Sequence, residues 1–203
     1  NLYTNPIDIS LTTVVKATTV SADGQILNSF MEYGTFFINE TFTMPVLSVS
    51  GDEIDELLSG DEIKPLGTFE YYKQNGELAD KARGEFNEHG NDSWGYDQRG
   101  FDYITRDQLG YNYAIKDELF RTKNRNKYQR LIIKAAANDN YPFAYGGSGA
   151  HIRDSYVQSL SQIADLRMEG GCGEVRVGRP WWIADLHVEA GVGGLVELGR
   201  PWW

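Results

Sequence analysis

At 203 residues and 41% hydrophobic, the chain is long enough for one sizeable core or two small ones, which places it among ordinary globular proteins. A formal charge of −10 argues against adhesion to nucleic acid or to an anionic lipid surface and favours a neutral or cationic partner. The single cysteine, Cys172, excludes an internal disulfide and a cysteine-based metal cage, and no run approaches the ~20 apolar residues that span a bilayer.

The first 40 residues are rich in Thr, Val, Tyr and Phe. TTVVKATTV reads as a strand, Ser21-Ala22-Asp23-Gly24 as a turn, and the stretch near Gly34 to Asn39 as a further strand. These are either the last strands of a β-sandwich or members of the following domain's sheet. Thr43 to Ser50 is a strand candidate. Ser50-Gly51-Asp52-Glu53 then fits a capping box, with Ile54, Leu57 and Leu58 on the apolar side of a short helix. The acids Asp52, Glu53, Asp55, Glu56, Asp61 and Glu62 lack the alternating oxygen ligands and central glycine of a calcium loop, so they read as a solvated face.

From Gly67 to Phe120 the pattern is a series of strands: GTFEYY, a turn at Asn75-Gly76, RGEFNEHG, FDYITRD and YNYAIKD. Their aromatic residues suit core and cross-strand packing. Leu131, Ile132 and Ile133 read as a strand buried on both faces, broken by Asn138-Asp139-Asn140-Tyr141-Pro142. After Gly146-Gly147-Ser148-Gly149, the residues Ile152, Tyr156, Val157, Leu160, Ile163 and Ala164 recur at helical spacing. They predict a helix from about Ala150 to Arg167 that packs this face inward.

The run Arg130 to Met168, with its "L…A…ND…hIRd.yvq.la…l" pattern, resembles the CotH family of spore-coat-type atypical protein kinases. Upstream, His89-Gly90-Asn91-Asp92-Ser93 is similar to that family's "RGNSS" turn, and Gln98 to Ile104 stands where the family has "PKKSYRI". His89 replaces the family's Arg, and Arg99 stands about where a Lys is usual. The resemblance covers roughly Pro45 to Met168. The order "Y..PI.IS.TTVVKA" is in turn similar to the tail of the fibronectin-like or chitobiase-C-terminal-like modules found beside such domains. The reading is therefore an α+β chain in three parts. Residues 1–42 are the end of a β-sandwich accessory module. Residues 43–168 are the β-rich N-lobe-like part of a kinase-like domain followed by its long helix, and 163–203 form an irregular tail.

The resemblance implies phosphoryl transfer from ATP with Mg²⁺ to a protein hydroxyl, in a secreted or surface protein. Such chemistry needs a phosphate cradle and a cation touching it. Gly90, Asn91, Ser93 and Gly95 offer backbone N–H groups and Arg99 a guanidinium fork, although HGNDSWG serves equally as a plain turn. Arg153, in the first turn of the expected helix, suits an anionic partner or an ion pair with Asp139 or Asp154. Asp139 lies in a loop after a strand, where ligand binding and ordinary turn chemistry are both at home. His151-Ile152-Arg153-Asp154 is not the kinase H-R-D triplet, because it has an extra residue and Ser159 stands in the place of an Asn. His89, His151 and His187 show no zinc-enzyme spacing.

Two near copies close the sequence, Ile163 to Trp182 and Ile183 to Trp203, each starting IADL and ending GRPWW. A stacked array needs about three units to bury its core, and the family's continuation does not appear, so the tail reads as a rearranged end. The family's catalytic and metal-binding carboxylates would lie beyond the point of departure. The implied protein is a CotH-type fragment, inactive alone; a non-catalytic extracellular module binding carbohydrate or protein is the alternative.

Overall fold

A computed structural model describes residues 3–91, 94, 99–110, 112–120 and 125–134, the isolated positions 153, 156, 157 and 160, and the backbone of 171–173 and 187–190. Two units divide the chain, Asn1–Thr41 and Phe42–Trp203. In the first, β1 (Thr13–Ala17) and β2 (Glu32–Phe36) pair antiparallel, Thr13 opposite Phe36 and Ala17 opposite Glu32. Side chains tie the ribbon further, Thr12 Oγ1 donating to Glu40 Oε1 at 2.9 Å.

The second unit is built on period-2 alternation. Strands β3 (Val46–Ser50), β4 (Leu66–Tyr72), β5 (Leu78–His89), β6 (Gly100–Thr105) and β7 (Arg130–Lys134) lie side by side in chain order, each antiparallel to its neighbour. Two short strands extend this sheet: β9 (His187–Ala190) pairs with β7, and β8 (Gly171–Gly173) pairs with β9.

On one face Leu47, Phe69, Tyr71, Ala82, Phe86, Phe101, Tyr103, Leu131 and Ile133 are buried. Helix α1 (Ile54–Ser59) closes over this core with Ile54 and Leu57, and 112–128 adds Ile115, Leu119, Phe120 and Tyr128. The rings stack in sequence, Phe69 on Tyr103 at 4.7 Å and Phe86 against Tyr103 at 4.8 Å between centroids.

The α+β expectation with a long helix is overturned. Among the described residues the fold is mostly β, and the one α-helix described without a break is the six-residue α1. Arg153, Tyr156, Val157 and Leu160 have helical backbone. However, Tyr156, Val157 and Leu160, assigned to an inward face by their spacing, are 61%, 54% and 45% exposed. A helix draws most of its stability from burying an apolar face, and these residues leave about half of their surface in water. The N-terminal strands form a two-stranded sheet, and the tail expected to be irregular supplies β8 and β9.

Two smaller expectations also change. Ser50 is held in β3 opposite Thr68, so the capping box does not form; α1 starts after Glu53, which makes no side-chain cap. YNYAIKD is not a strand. Its Ile115 makes one bridge to Tyr128, and Asp80 accepts from the Lys116 backbone N–H at 2.5 Å and from the Asn112 amide at 3.1 Å. Asp52, Glu53, Asp55, Glu56, Asp61 and Glu62 are exposed around α1. No helix among the described residues is long and apolar enough to cross a membrane.

Burial of tyrosine hydroxyls has a consequence at high pH. Burial, then the Asp80 charge, pushes Tyr103 well above the ordinary tyrosine range. Tyr128 is pushed up to about 12, by burial first, with Arg125 opposing and Glu118 reinforcing. In the unfolded chain both hydroxyls ionise near pH 10, so above that pH the folded state binds more protons. Stability is therefore fully present below about pH 10 and falls as pH rises through the folded values. Circular dichroism together with tyrosinate absorbance is expected to show alkaline unfolding from about pH 10, and Tyr103→Phe to move the transition upward.

Candidate functional site

The β5–β6 hairpin carries a polar region described at Gly90, Asn91, Trp94 and Arg99. Its loop leaves β5 at Gly90, whose φ of 115° a side chain would strain. The Asn91 carbonyl accepts from the Trp94 N–H at 3.0 Å. Arg99 brings the loop back: Nε donates to the Trp94 carbonyl at 2.7 Å, Nη1 donates to the Leu58 carbonyl at 2.6 Å, and Cζ lies 5.7 Å from the centroid of the Trp94 ring. Leu58 lies in the last turn of α1, so this cation meets carbonyls at the negative end of the helix.

The guanidinium fork expected on a phosphate thus clamps the loop to α1. Arg99→Ala is expected to cost about 2 kcal/mol in urea unfolding, the scale of hydrogen bonds from a charged donor. Arg99→Lys should recover only part of this, because an ammonium lacks the planar fork that reaches two carbonyls.

Opposite the core, the sheet turns a charged face outward. The alternation that buries Ala82 and Phe86 sets Lys81, Arg83, Glu85, Asn87 and His89 of β5 on this second face, joined by Asp102 of β6 and by Arg130, Ile132 and Lys134 of β7. Glu70, only 2% exposed, pairs with Lys81 at 3.3 Å. At the loop end the centre is Asp102, 5% exposed. Its Oδ2 is bonded by Arg130 Nη2, and its Oδ1 lies 3.6 Å from His89 Nδ1 with no hydrogen bond among the described residues.

Between His89 and Lys134 stands Gly100. A Cβ there would meet the Ile133 carbonyl at 2.9 Å, the His89 carbonyl at 3.2 Å and Lys134 Cα at 3.4 Å. The row therefore reads imidazole, gap, lysine at the root of the loop, with Arg130 and Asp102 one step further in.

Of the residues chosen from sequence, Asn91 and Arg99 come together around Trp94, Asn91 through its backbone and Arg99 through its side chain. Arg153 is exposed, while Ser93 and Asp139 fall outside the described residues. Asp102, Arg130 and Lys134 are not singled out by the sequence, and His89 stands out there only in place of the family's Arg and as a histidine without zinc-enzyme spacing. The signal was present in RLIIK, where Arg130 and Lys134 flank the apolar run four apart and so share one face of a strand. Among the described residues no group of three His, Cys, Asp or Glu could hold a metal ion. Comparison with protein-family models, with curated proteins and with solved structures gave no match.

Proposed function

We propose that this chain is the β-rich, phosphate-binding part of a CotH-type kinase-like domain whose complete form transfers phosphoryl from Mg-ATP to protein hydroxyls outside the cytoplasm. The supporting observation is the hairpin loop rooted at Gly90, beneath which His89, Arg130 and Lys134 gather around the gap at Gly100. Basic side chains at the base of a turn between antiparallel strands suit the charge of a polyphosphate. The similarity from Pro45 to Met168 supplies the reaction class.

The described residues fit the phosphates of such a nucleotide better than its metal. Asp102 is already engaged by Arg130, and no described cluster offers a set of ligands for Mg²⁺. Bound there, ATP would bring the transferable phosphoryl group. The chain's own part is to hold the phosphates through His89, Arg130 and Lys134, with Asp102 keeping Arg130 in place. By this reading the chain alone binds nucleotide and does not turn it over, and its partner in the complete protein is a protein substrate rather than nucleic acid.

A thermal-shift series on the full chain tests it. At 100 times its dissociation constant a ligand stabilises the folded state by about 2.7 kcal/mol, or roughly 5–10 °C for a domain of this size. ATP and Mg-ATP are expected to raise Tm, and AMP to raise it less. A second reading, a non-catalytic surface module for carbohydrate or protein, is favoured by the exposed rings Tyr3, Phe30 and Phe36. A shift with soluble glycans and none with any nucleotide would replace the first reading with the second.

A further inference from the structure

We infer that His89 is itself an anion ligand of this site, acting as the imidazolium, and that Asp102 is the positioning residue that holds it in that form. The inference rests on the phosphate-binding reading above and names the regulation of that site: binding is strongest below the imidazole's titration and is released as pH rises through it.

Asp102 is nearly buried, and Arg130 bonds its Oδ2. Its other oxygen takes no hydrogen bond among the described residues and stands 3.6 Å from His89 Nδ1. An acceptor so placed gains a partner when Nδ1 carries a proton, so the arrangement favours the charged ring. With Nδ1 towards Asp102, the Nε2 edge of the ring points away from the carboxylate. The His89 side chain is 27% exposed, so part of the ring reaches solvent.

The charged groups around the ring come from every strand packed against it. Asp102 of β6 attracts its proton. Arg130 of β7 is compensated by Asp102, while Lys134 of β7 has its Cα beside Gly100. On β5 Asn87 shares the face of His89 and Glu88 lies on the other; the β9 backbone pairs residues 187 and 189 with Lys134 and Ile132. A bound phosphate adds negative charge to this set and so draws the ring further to the cationic form. Histidine is the side chain whose ordinary titration lies nearest neutral pH, so a neighbouring carboxylate and a bound anion act on its charge in the accessible range.

The test uses the full chain with inorganic tripolyphosphate and with ATP, titrated calorimetrically at pH 6 and pH 8. Because both probes also take up protons, the readout is the difference between wild type and His89→Gln. Wild type is expected to gain about tenfold more affinity on going to pH 6 than the variant does, the size of one charge-assisted hydrogen bond. In parallel, the chemical-shift titration of the His89 ring should move to lower pH in Asp102→Asn, with the pH-dependent gain shrinking alongside.

Equal pH slopes in wild type and His89→Gln would overturn the inference while leaving phosphate binding intact. So would an Asp102→Asn variant that loses affinity equally at both pH values with an unmoved ring titration, since that is what a merely structural aspartate would do. Absence of binding by any form at either pH would remove the phosphate-binding reading and this inference with it.

Discussion

Gly84→Ala is expected to destabilise the larger unit by about 3 kcal/mol, the upper end of what overpacking a core costs and a large effect for a single methyl group. Gly84 lies in β5 between β4 and β6, opposite Gly67 on one side and Thr105 on the other. A Cβ there would overlap the Ile104 carbonyl and would stand 2.6 Å from Tyr103 Cε2. Neither neighbour can withdraw cheaply: the carbonyl belongs to the β6 ladder, and the Tyr103 ring is stacked between Phe69 and Phe86. The loss is a large part of the ~5–15 kcal/mol that holds an ordinary domain together. Gly76→Asn is the control, since the left-handed turn at φ 82° tolerates Asn and a Cβ there meets only Phe42 at 3.9 Å. Urea denaturation should show a lower midpoint for Gly84→Ala and near-wild-type behaviour for Gly76→Asn. Equal effects would mean that the close approach at Gly84 is not what makes glycine necessary there.

The strands were legible wherever alternation and turn chemistry agreed. GTFEYY, the Asn75-Gly76 turn, RGEFNEHG and FDYIT correspond to β4, β5 and β6, because each places aromatic or small residues on one face and charges on the other. The failures have separate physical causes. YNYAIKD has the residues of a strand, yet hydrogen bonds from Lys116 and Asn112 to Asp80 hold its backbone in an irregular path that no local pattern announces. The helical spacing of Tyr156, Val157 and Leu160 is real, but spacing indicates only that these residues share a face. Whether anything covers that face is a tertiary fact, and here they are exposed. Ser50 shows the same limit: its pairing with Thr68 outcompetes the helix cap that the local order S-x-x-E suggested.

The site was less legible than the fold. Arg99 was singled out by charge and position, and it does anchor the loop, but its donors are turned towards the Trp94 and Leu58 carbonyls. The charged row of His89, Asp102, Arg130 and Lys134 is spread over three strands and brought together by register alone, which a single sequence does not encode locally. Ile132, expected to be buried with Leu131 and Ile133, sits opposite Asp102 on this second face and is only half-buried, which marks where the apolar core ends and the polar face begins.

Phe86→Ala is expected to cost about 3–5 kcal/mol and, unlike a loop substitution, to loosen the charged row as well. The Phe86 ring is fully buried, tilted against Tyr103 and against Phe101 at 5.8 Å, and its Cε2 lies 3.0 Å from where a Gly67 Cβ would be. Removing it opens a cavity lined by the Tyr103 and Phe101 rings and by the backbone at Gly67, and the cost depends on how far those rings can move in. Phe86 is paired with Tyr103 in the β5–β6 register, and the next pairs along, Asn87 with Asp102 and Glu88 with Phe101, lead directly to His89 and Gly100. The aromatic stack on one face thus fixes the spacing of the charges on the other. Phe86→Leu keeps most of the volume and should cost less than about 1.5 kcal/mol. Hydrogen exchange separates the two consequences: in Phe86→Ala the amides of 87–89 and 100–102 should lose protection beyond the global loss of stability, whereas in Phe86→Leu they should not. Uniform loss across all strands of the sheet would instead show that the core and the charged face are coupled only through global unfolding.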